Sequence, residues 1–291
     1  MKHSLKEKTA LITGASQGLG REIARKYILA GANVMLFARS KSSLASLQQE
    51  LEELKNATQK VCVTVGDVKA PKDVTFAVKN TLKNIGSLHI LVNNAGIYGP
   101  KGDLDKLEWQ EWVQTIEINL FGSVLMCKAV LPHFKAQKYG KIIQLSGGGA
   151  TQPMPFISAY AASKAAVVRF AESLAKEVTS FGIDVNAVAP GALNTAMLEE
   201  ILLAGPDKVG KSYYAKSVDQ KKSGGASFII ATDLILFLAA HASDGITGKL
   251  ISAAWDKWES WPAYKEELAN SDSYTLRRIT GKDRGLSWGD V

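Results

Sequence analysis

The stretch TALITGASQGLGREIARKYILA, residues 9–30, joins a β-rich apolar run to a glycine-rich turn and a helical pattern. Glycines at 14, 18 and 20 let the chain turn tightly, let a ligand approach the backbone, and let the helix pack closely on its strand. The start of that helix presents free N–H groups and the positive end of its dipole. The turn therefore predicts a pyrophosphate site and hence a bound dinucleotide. The expected contacts are Gly14, Ser16, Gln17, Gly18, Leu19 and Gly20.

Further β-rich runs and helical patterns alternate along the chain. The runs lie at 33–37, 61–65, 89–94, 141–146, 183–189 and 249–252. Helical spacing occurs at 18–30, 41–55, 72–84, 106–131, 158–181 and 226–241. Such alternation is typical of right-handed βαβ crossovers and of parallel strands buried on both faces. The predicted fold class is α/β, a doubly wound fold whose seven-stranded parallel sheet has helices on both faces.

Length and local composition predict how the chain is divided into a domain, an inserted segment and an extension. The 291 residues, 46% of them hydrophobic, suit a single domain over 1–254. The segment 199–226 is polar and carries five lysines, which predicts an inserted flap. The extension 255–291 contains four tryptophans. Since disordered tails are poor in aromatic residues, we expect it to pack on the domain or on a neighbouring subunit.

Composition argues against several other classes of protein. The sequence has no apolar run of eighteen residues and no apolar signal region, so we expect a cytoplasmic protein without a membrane span. Two cysteines and four scattered histidines predict neither a disulfide scaffold nor a metal site. The net charge of +7 suits anionic ligands but is too diffuse to indicate nucleic-acid binding.

The residue after the second strand predicts which dinucleotide is bound. An acidic side chain at this point accepts hydrogen bonds from a free ribose 2′-hydroxyl, whereas a basic one accommodates a 2′-phosphate. The chain has Arg39 there and no carboxylate. We therefore expect NADP(H) to be favoured, with NAD(H) still possible.

Further motifs follow the glycine turn in a specific order. They are GDV at 66–68, NNAG at 93–96, INLFG at 118–122, YAASK at 160–164 and PGALNT at 190–195. On these motifs the chain resembles the short-chain dehydrogenase/reductase family. The resemblance implies a Rossmann-type fold, hydride transfer with a nicotinamide cofactor, and a homodimer or homotetramer. It also implies further cofactor contacts from Asp67, Val68, Asn93, Ala95, Gly96, Tyr160, Lys164, Pro190, Gly191 and Thr195.

The same resemblance assigns chemistry to four side chains. Tyr160 is the expected general acid and base, and Lys164, one helical turn later, is expected to lower its pKa by charge proximity. Lys164 is also expected to hold the nicotinamide ribose. Asn119 is expected to orient a water in a proton relay, or else to be satisfied by neighbouring backbone. Ser146 is expected to donate a hydrogen bond to the substrate oxygen.

The serine departs from the family pattern. The family's active serine most often lies thirteen residues before the tyrosine, which is Gly147 here, whereas Ser146 lies fourteen before it. Ser158 is a second nearby hydroxyl. We assign the role to Ser146, because the glycines that follow it allow the chain to adjust.

These residues lead to a predicted function and to alternatives. The leading prediction is an NADPH-dependent carbonyl reductase, reversible as an alcohol dehydrogenase, that acts on a small-molecule carbonyl or alcohol substrate. The alternatives are an NAD-linked alcohol dehydrogenase and a non-catalytic dinucleotide sensor or scaffold on the same fold. The flap lysines indicate a solvated face or, alternatively, the steering of an anionic substrate.

Overall fold

Seven strands form one parallel sheet in the computed structural model, which describes residues 3–288. They are β1 Thr9–Thr13, β2 Asn33–Ala38, β3 Val61–Val65, β4 Ile90–Asn93, β5 Gly140–Leu145, β6 Ile183–Ala189 and β7 Leu250–Ser252. The order across the sheet is β3-β2-β1-β4-β5-β6-β7. Every predicted strand is present to within a residue or so at each end, and the predicted fold class is confirmed.

The helices cover both faces of this sheet. They are α1 Gly18–Leu29, α2 Lys41–Leu54, α3 Pro71–Ile85, α4 Trp109–Ile116, α5 Gly122–Gln137, α6 Ser158–Val178, α7 Ala196–Ala204, α8 Pro206–Val209, α9 Lys211–Ser223, α10 Phe228–Ala239 and α11 Lys265–Ala269. The helix predicted over 106–131 is divided, because a π-helical segment, Glu117–Phe121, joins α4 to α5. Asn119 lies in this segment, and π turns inside helices are frequent at functional sites.

Side chains along each strand point alternately to the two faces of the sheet, and an apolar core lies on each face. In β1, Ala10 and Ile12 belong to an apolar cluster with residues of α1, α2 and α10. Leu11, between them, belongs to a second cluster with residues of α3, α5 and α6. Successive strand side chains point to opposite faces, so a strand that is apolar throughout must be covered on both sides.

The strand order creates a crevice beside β1. The chain runs outward from β1 through β2 to β3 and then returns to place β4 on the other side of β1. At such a switch point the connections diverge, and ligands bind at the carboxyl ends of the strands. The glycine turn lies here, with Gly14 and Gly18 at φ of 62° and 53°, conformations that favour glycine.

The predicted flap is helical. The segment 199–226 holds most of α7 and all of α8 and α9. Gly205, Gly210 and Gly224 have φ of 79°, 80° and 86° and end these helices, so residues that suggested a loop are helix terminators. Gln220 Nε2 donates to the carbonyl oxygen of Leu193 at 3.2 Å and ties α9 to the chain after β6.

The tryptophans of the C-terminal extension fall into two groups. Trp258 and Trp261 are 6% and 4% exposed and belong to the cluster around α10, with the Trp258 and Phe237 rings 5.4 Å apart. Trp255 and Trp288 are 88% and 72% exposed in this single chain. The described part of the extension therefore packs on the domain through only some of its aromatic residues.

The extension also covers the edge of the sheet at β7. The Leu250 amide donates to the carbonyl oxygen of Tyr274 at 2.8 Å. Lys249 Nζ donates to the carbonyl oxygens of Ser271 and Ser273 at 3.0 and 2.9 Å. An edge strand presents unpaired backbone groups, and this segment satisfies some of them.

One helical stretch, Trp109–Gln137, is long and apolar enough to cross a membrane by length and composition, and 44% of its apolar window is buried in the fold. Core helices of soluble proteins have the same property. The prediction that the protein does not span a membrane stays a prediction.

Trp258→Ala is expected to lower the free energy of unfolding by about 3–5 kcal/mol, because it removes a buried aromatic side chain and leaves a cavity. Trp255→Ala is the matched control and is expected to change it by no more than about 0.5 kcal/mol, since that side chain is exposed. Urea unfolding followed by circular dichroism measures both. Equal losses in the two variants would contradict this division of the tryptophans.

Candidate active site

A cavity of about 1920 Å³ opens at the carboxyl ends of the strands, beside the switch point. Sites for drug-sized ligands are roughly 300–1,000 Å³. This cavity can therefore hold a dinucleotide together with a second molecule. Its lining includes nearly all the predicted site residues; Gly20, Asn93 and Asn119 are outside it.

The N-terminus of α1 forms one wall of the cavity. Gln17, the capping residue, has extended backbone angles, and no side chain caps the helix. The first N–H groups of the helix are thus available to an anion, and the dipole favours one there. Ser16, Gln17, Gly18 and Leu19 all line this wall. The arrangement fits the pyrophosphate of a dinucleotide.

The end of the cavity beside β2 and β3 matches the predicted adenosine site. Arg39 lies directly after β2, is exposed, and makes no ion pair within residues 3–288. Asp67 and Val68, after β3, line the same cavity. An arginine free of carboxylate partners can pair with a phosphate.

The cavity continues past the end of β6. Pro190, Gly191 and Thr195 line it there, as predicted for the nicotinamide end. Gly191 has φ of 92°, and a Cβ atom on it would lie 3.0 Å from the Cβ atom of Ala226. The turn therefore requires glycine for both conformation and space.

Two predicted cofactor residues, Asn93 and Gly20, have structural contacts within the protein. The Asn93 side chain turns away from the cavity and donates to the Ser123 carbonyl oxygen at 3.3 Å. A Cβ atom on Gly20 would lie 2.4 Å from the Gly14 carbonyl oxygen, so Gly20 lets the turn close on itself. Both residues shape the site without lining the cavity, and their expected cofactor contacts stay predictions. Asn94, treated in the sequence as turn chemistry, lines the cavity.

Tyr160 and Lys164 lie on the first turns of α6 and face the cavity. Lys164 Nζ donates to the Leu145 carbonyl oxygen at 2.7 Å and lies 5.7 Å from the centre of the Tyr160 ring. Burial lowers the pKa of Lys164 to about 8. Burial also raises the pKa of Tyr160 above its usual range. Desolvation is the largest cause of this rise, and the expected lowering of the Tyr160 pKa by Lys164 stays a prediction.

The structure distinguishes between the candidate hydroxyls. Ser146 Oγ is buried, lines the cavity and has no hydrogen-bond partner in the described chain. A Cβ atom on Gly147 would lie 2.6 Å from the Tyr160 hydroxyl, so a serine there would displace the tyrosine. Ser158 Oγ accepts from Trp112 Nε1 at 3.2 Å and does not line the cavity. These contacts favour Ser146, whose catalytic role stays a prediction.

Asn119 is buried close to the lysine, although it does not line the cavity. Its Oδ1 accepts from the Ile97 amide at 2.8 Å, and its Nδ2 donates to the Ile97 carbonyl oxygen and to Ser163 Oγ, each at 2.9 Å. The side chain thus fixes the loop after β4 by bonding to neighbouring groups, which was the alternative to a water-orienting role. The water relay stays a prediction.

Sequence reasoning missed the residues that wall the reacting end of the cavity. Tyr98 comes two residues after the NNAG motif, and Tyr213 lies on α9. Trp255, Tyr274 and Thr275 of the extension also line the cavity. The position of Tyr98 after that motif was the one available signal, because the others come near the site only through tertiary packing. No group of three or more histidine, cysteine, aspartate or glutamate side chains in residues 3–288 is placed to hold a metal ion.

Comparison with known proteins identifies the family of the chain. A family model described as short chain dehydrogenase matches residues 8–204. Oxidoreductase UcpA of Escherichia coli (strain K12) is 36% identical over 83% of this chain and 90% of its own length. A 3-oxoacyl-[acyl-carrier-protein] reductase of Thermotoga maritima is 32% identical over 85% and 96%. The actinorhodin polyketide ketoreductase, solved with NADPH, is 26% identical, covers 84% of this chain and 95% of its own, and has a TM-score of 0.76.

Ser146→Ala is expected to lower kcat for carbonyl reduction about a hundredfold, because it removes a hydrogen-bond donor aimed at developing negative charge. Ser158→Ala, whose hydroxyl contacts Trp112, is the control and should stay within about threefold of the parent. Steady-state kinetics at saturating cofactor measures both. A Ser146→Ala enzyme within about threefold of the parent would remove this serine from the mechanism.

Proposed function

The chain belongs to the short-chain dehydrogenase family of NAD(P)-dependent oxidoreductases, and we propose that it is an NADPH-dependent carbonyl reductase, reversible as an alcohol dehydrogenase. The observation that carries this proposal is the meeting of Tyr160, Lys164 and the unpartnered Ser146 hydroxyl at one end of a dinucleotide-sized cavity. A binding protein has no need of a buried proton donor beside a buried ammonium group.

The chemistry of reduction divides between cofactor and protein. A bound nicotinamide supplies the hydride. Tyr160 supplies the proton, and its raised pKa keeps the phenol protonated at neutral pH. It can still protonate an alkoxide, because an alcohol is a far weaker acid than a phenol. In the reverse direction the phenolate accepts the proton of the alcohol.

Ser146 and Lys164 assist that transfer. The Ser146 hydroxyl can donate to the substrate oxygen and stabilise the negative charge that develops during reduction. Lys164 places a cation near the phenol and the ribose region, and the Leu145 carbonyl oxygen holds its Nζ in position. Its low exposure increases its electrostatic effect, since water does not screen it.

The preference for NADPH rests on Arg39. The side chain lies at the end of β2, borders the cavity and has no carboxylate partner in the described residues. The ketoreductase solved with NADPH supports carbonyl reduction with this cofactor by likeness, and the acyl-carrier-protein reductase supports reduction of a 3-oxo group. An NAD-linked alcohol dehydrogenase and a non-catalytic sensor are the competing functions.

We also propose that the protein forms a homodimer or homotetramer. Trp109, the first residue of α4, and Phe121, the last residue of the π-helical segment, are 65% and 52% exposed, and a second copy would bury them. Light scattering after size exclusion tests this. A cytoplasmic location without nucleic-acid partners remains an expectation from composition.

Tyr160→Phe is expected to lower kcat at least about a hundredfold while leaving NADPH binding intact, because it removes only the proton donor. The assay is loss of NADPH absorbance with ketones, aldehydes, quinones and β-ketoacyl thioesters. Tyr214→Phe, a neighbour outside the cavity lining, is the control. Cofactor binding without turnover of any substrate class by the parent would favour the sensor.

Arg39→Asp is expected to reverse the cofactor preference, with kcat/KM for NADPH falling at least about tenfold relative to NADH. The carboxylate would repel a 2′-phosphate and accept hydrogen bonds from a free ribose. Arg278→Ala, an exposed arginine outside the cavity lining, should leave the ratio unchanged. A parent enzyme that prefers NADH tenfold or more would contradict the assignment to Arg39.

A further inference from the structure

Three tyrosines from separate segments meet at the reacting end of the cavity. Tyr98 lies in the loop after β4, Tyr160 on α6 and Tyr213 on α9, and all three line the cavity. The ring centroids of Tyr98 and Tyr160 are 4.6 Å apart. The hydroxyl oxygens of Tyr98 and Tyr213 are 3.2 Å apart, within hydrogen-bond distance. The proposed reaction uses only the hydroxyl of Tyr160.

The hydrogen bond between Tyr98 and Tyr213 leaves one of the two hydroxyl hydrogens free to donate to another group. Each phenol carries a single hydrogen, and one of the two is used when either hydroxyl donates to the other. Neither hydroxyl bonds to any other group in the described part of the chain. Burial raises the pKa of Tyr98 above its usual range, so this phenol stays protonated. The pair therefore has one hydrogen-bond donor available at the cavity wall, whichever tyrosine donates to the other.

Tyr98 and Tyr213 pack against an apolar cluster. Ile157, Ile201 and Val209 are buried in one cluster with Tyr160, and Met154 and Met197 pack against it. A polar donor in such surroundings is unfavourable unless it is paired. A ligand with a second acceptor atom would satisfy it, whereas a ligand without one would leave it unpaired. Such asymmetry is a strong source of selectivity in enzyme sites.

We propose that the Tyr98–Tyr213 pair binds a second oxygen of the substrate, and that the substrates are dicarbonyl or hydroxyketone compounds on a cyclic, apolar framework. The inference rests on the proposed function, since the first oxygen is the carbonyl that Tyr160 protonates. The Tyr98 ring, beside that of Tyr160, offers a flat apolar surface to the framework. Tyr98 and Tyr213 are then residues that determine specificity.

The test compares substrates that share a ring and differ in the second oxygen. Wild-type enzyme is assayed with NADPH on cyclohexanone and on the three isomeric cyclohexanediones. At least one dione is expected to exceed cyclohexanone about tenfold in kcat/KM, a ratio that one well-placed hydrogen bond provides. This comparison needs no variant, so it holds whether or not a variant folds.

The double variant Tyr98→Phe, Tyr213→Phe removes the donor. It is expected to lower kcat/KM for the favoured dione about tenfold, mainly through KM, and to leave cyclohexanone within about threefold. Both substitutions are made together because, after a single substitution, the remaining hydroxyl could still donate its hydrogen to the substrate. Tyr214→Phe is the matched control, since Tyr214 packs in the same cluster but does not line the cavity.

Each other outcome overturns the proposal. A wild-type enzyme with no preference for any dione would remove the second-oxygen site. A double variant with unchanged kcat/KM for the dione would also remove it. A double variant that loses cyclohexanone and dione activity equally would show that the two tyrosines have only a structural role. In each of these cases Tyr160-dependent reduction persists and the proposed function stands. Absence of Tyr160-dependent turnover of every ketone would instead overturn the proposed function, and the present inference with it.

Discussion

The glycine turn depends on one set of hydrogen bonds that holds it against the end of β4. Asn94 Nδ2 donates to the carbonyl oxygens of Thr13 and Gly14 at 3.0 and 3.1 Å. Thr13 Oγ1 accepts from the amides of Asn94 and Ala95, each at 3.0 Å. These bonds join the ends of two adjacent strands at the switch point. The N-terminus of α1, and hence the dinucleotide wall of the cavity, takes its position from them.

Burial sets the chemistry at the opposite end of the cavity. Tyr160 and Lys164 are both withdrawn from water, and burial disfavours the charged form of each. The phenol therefore holds its proton, and the lysine has a lowered pKa of about 8. Gly147 makes room for this arrangement, because any larger residue would press on the tyrosine hydroxyl.

Segments far from the glycine turn complete the site. The helices α7 to α9 bring Met197 and Tyr213 over the reacting end, and the C-terminal extension brings Trp255 and Tyr274 to the cavity. The extension is held there by hydrogen bonds to β7 and by the buried Trp258 and Trp261. The cofactor side of the cavity is thus built from strand ends, and the substrate side from helices and loops that vary more easily.

Local patterns were enough to predict the sheet, because a parallel strand buried on both faces is apolar throughout and a glycine turn has few alternatives. The family resemblance carried by the ordered motifs identified Tyr160 and Lys164, which one helical turn brings together. Local patterns could not show that Asn93 turns toward α5, that Asn119 bonds to Ile97, or that the flap is helical. Nor could they bring Tyr98 and Tyr213 together across 115 positions. Hydrogen-bond partners, burial and the resulting pKa changes depend on which surfaces meet, and only the tertiary structure decided that.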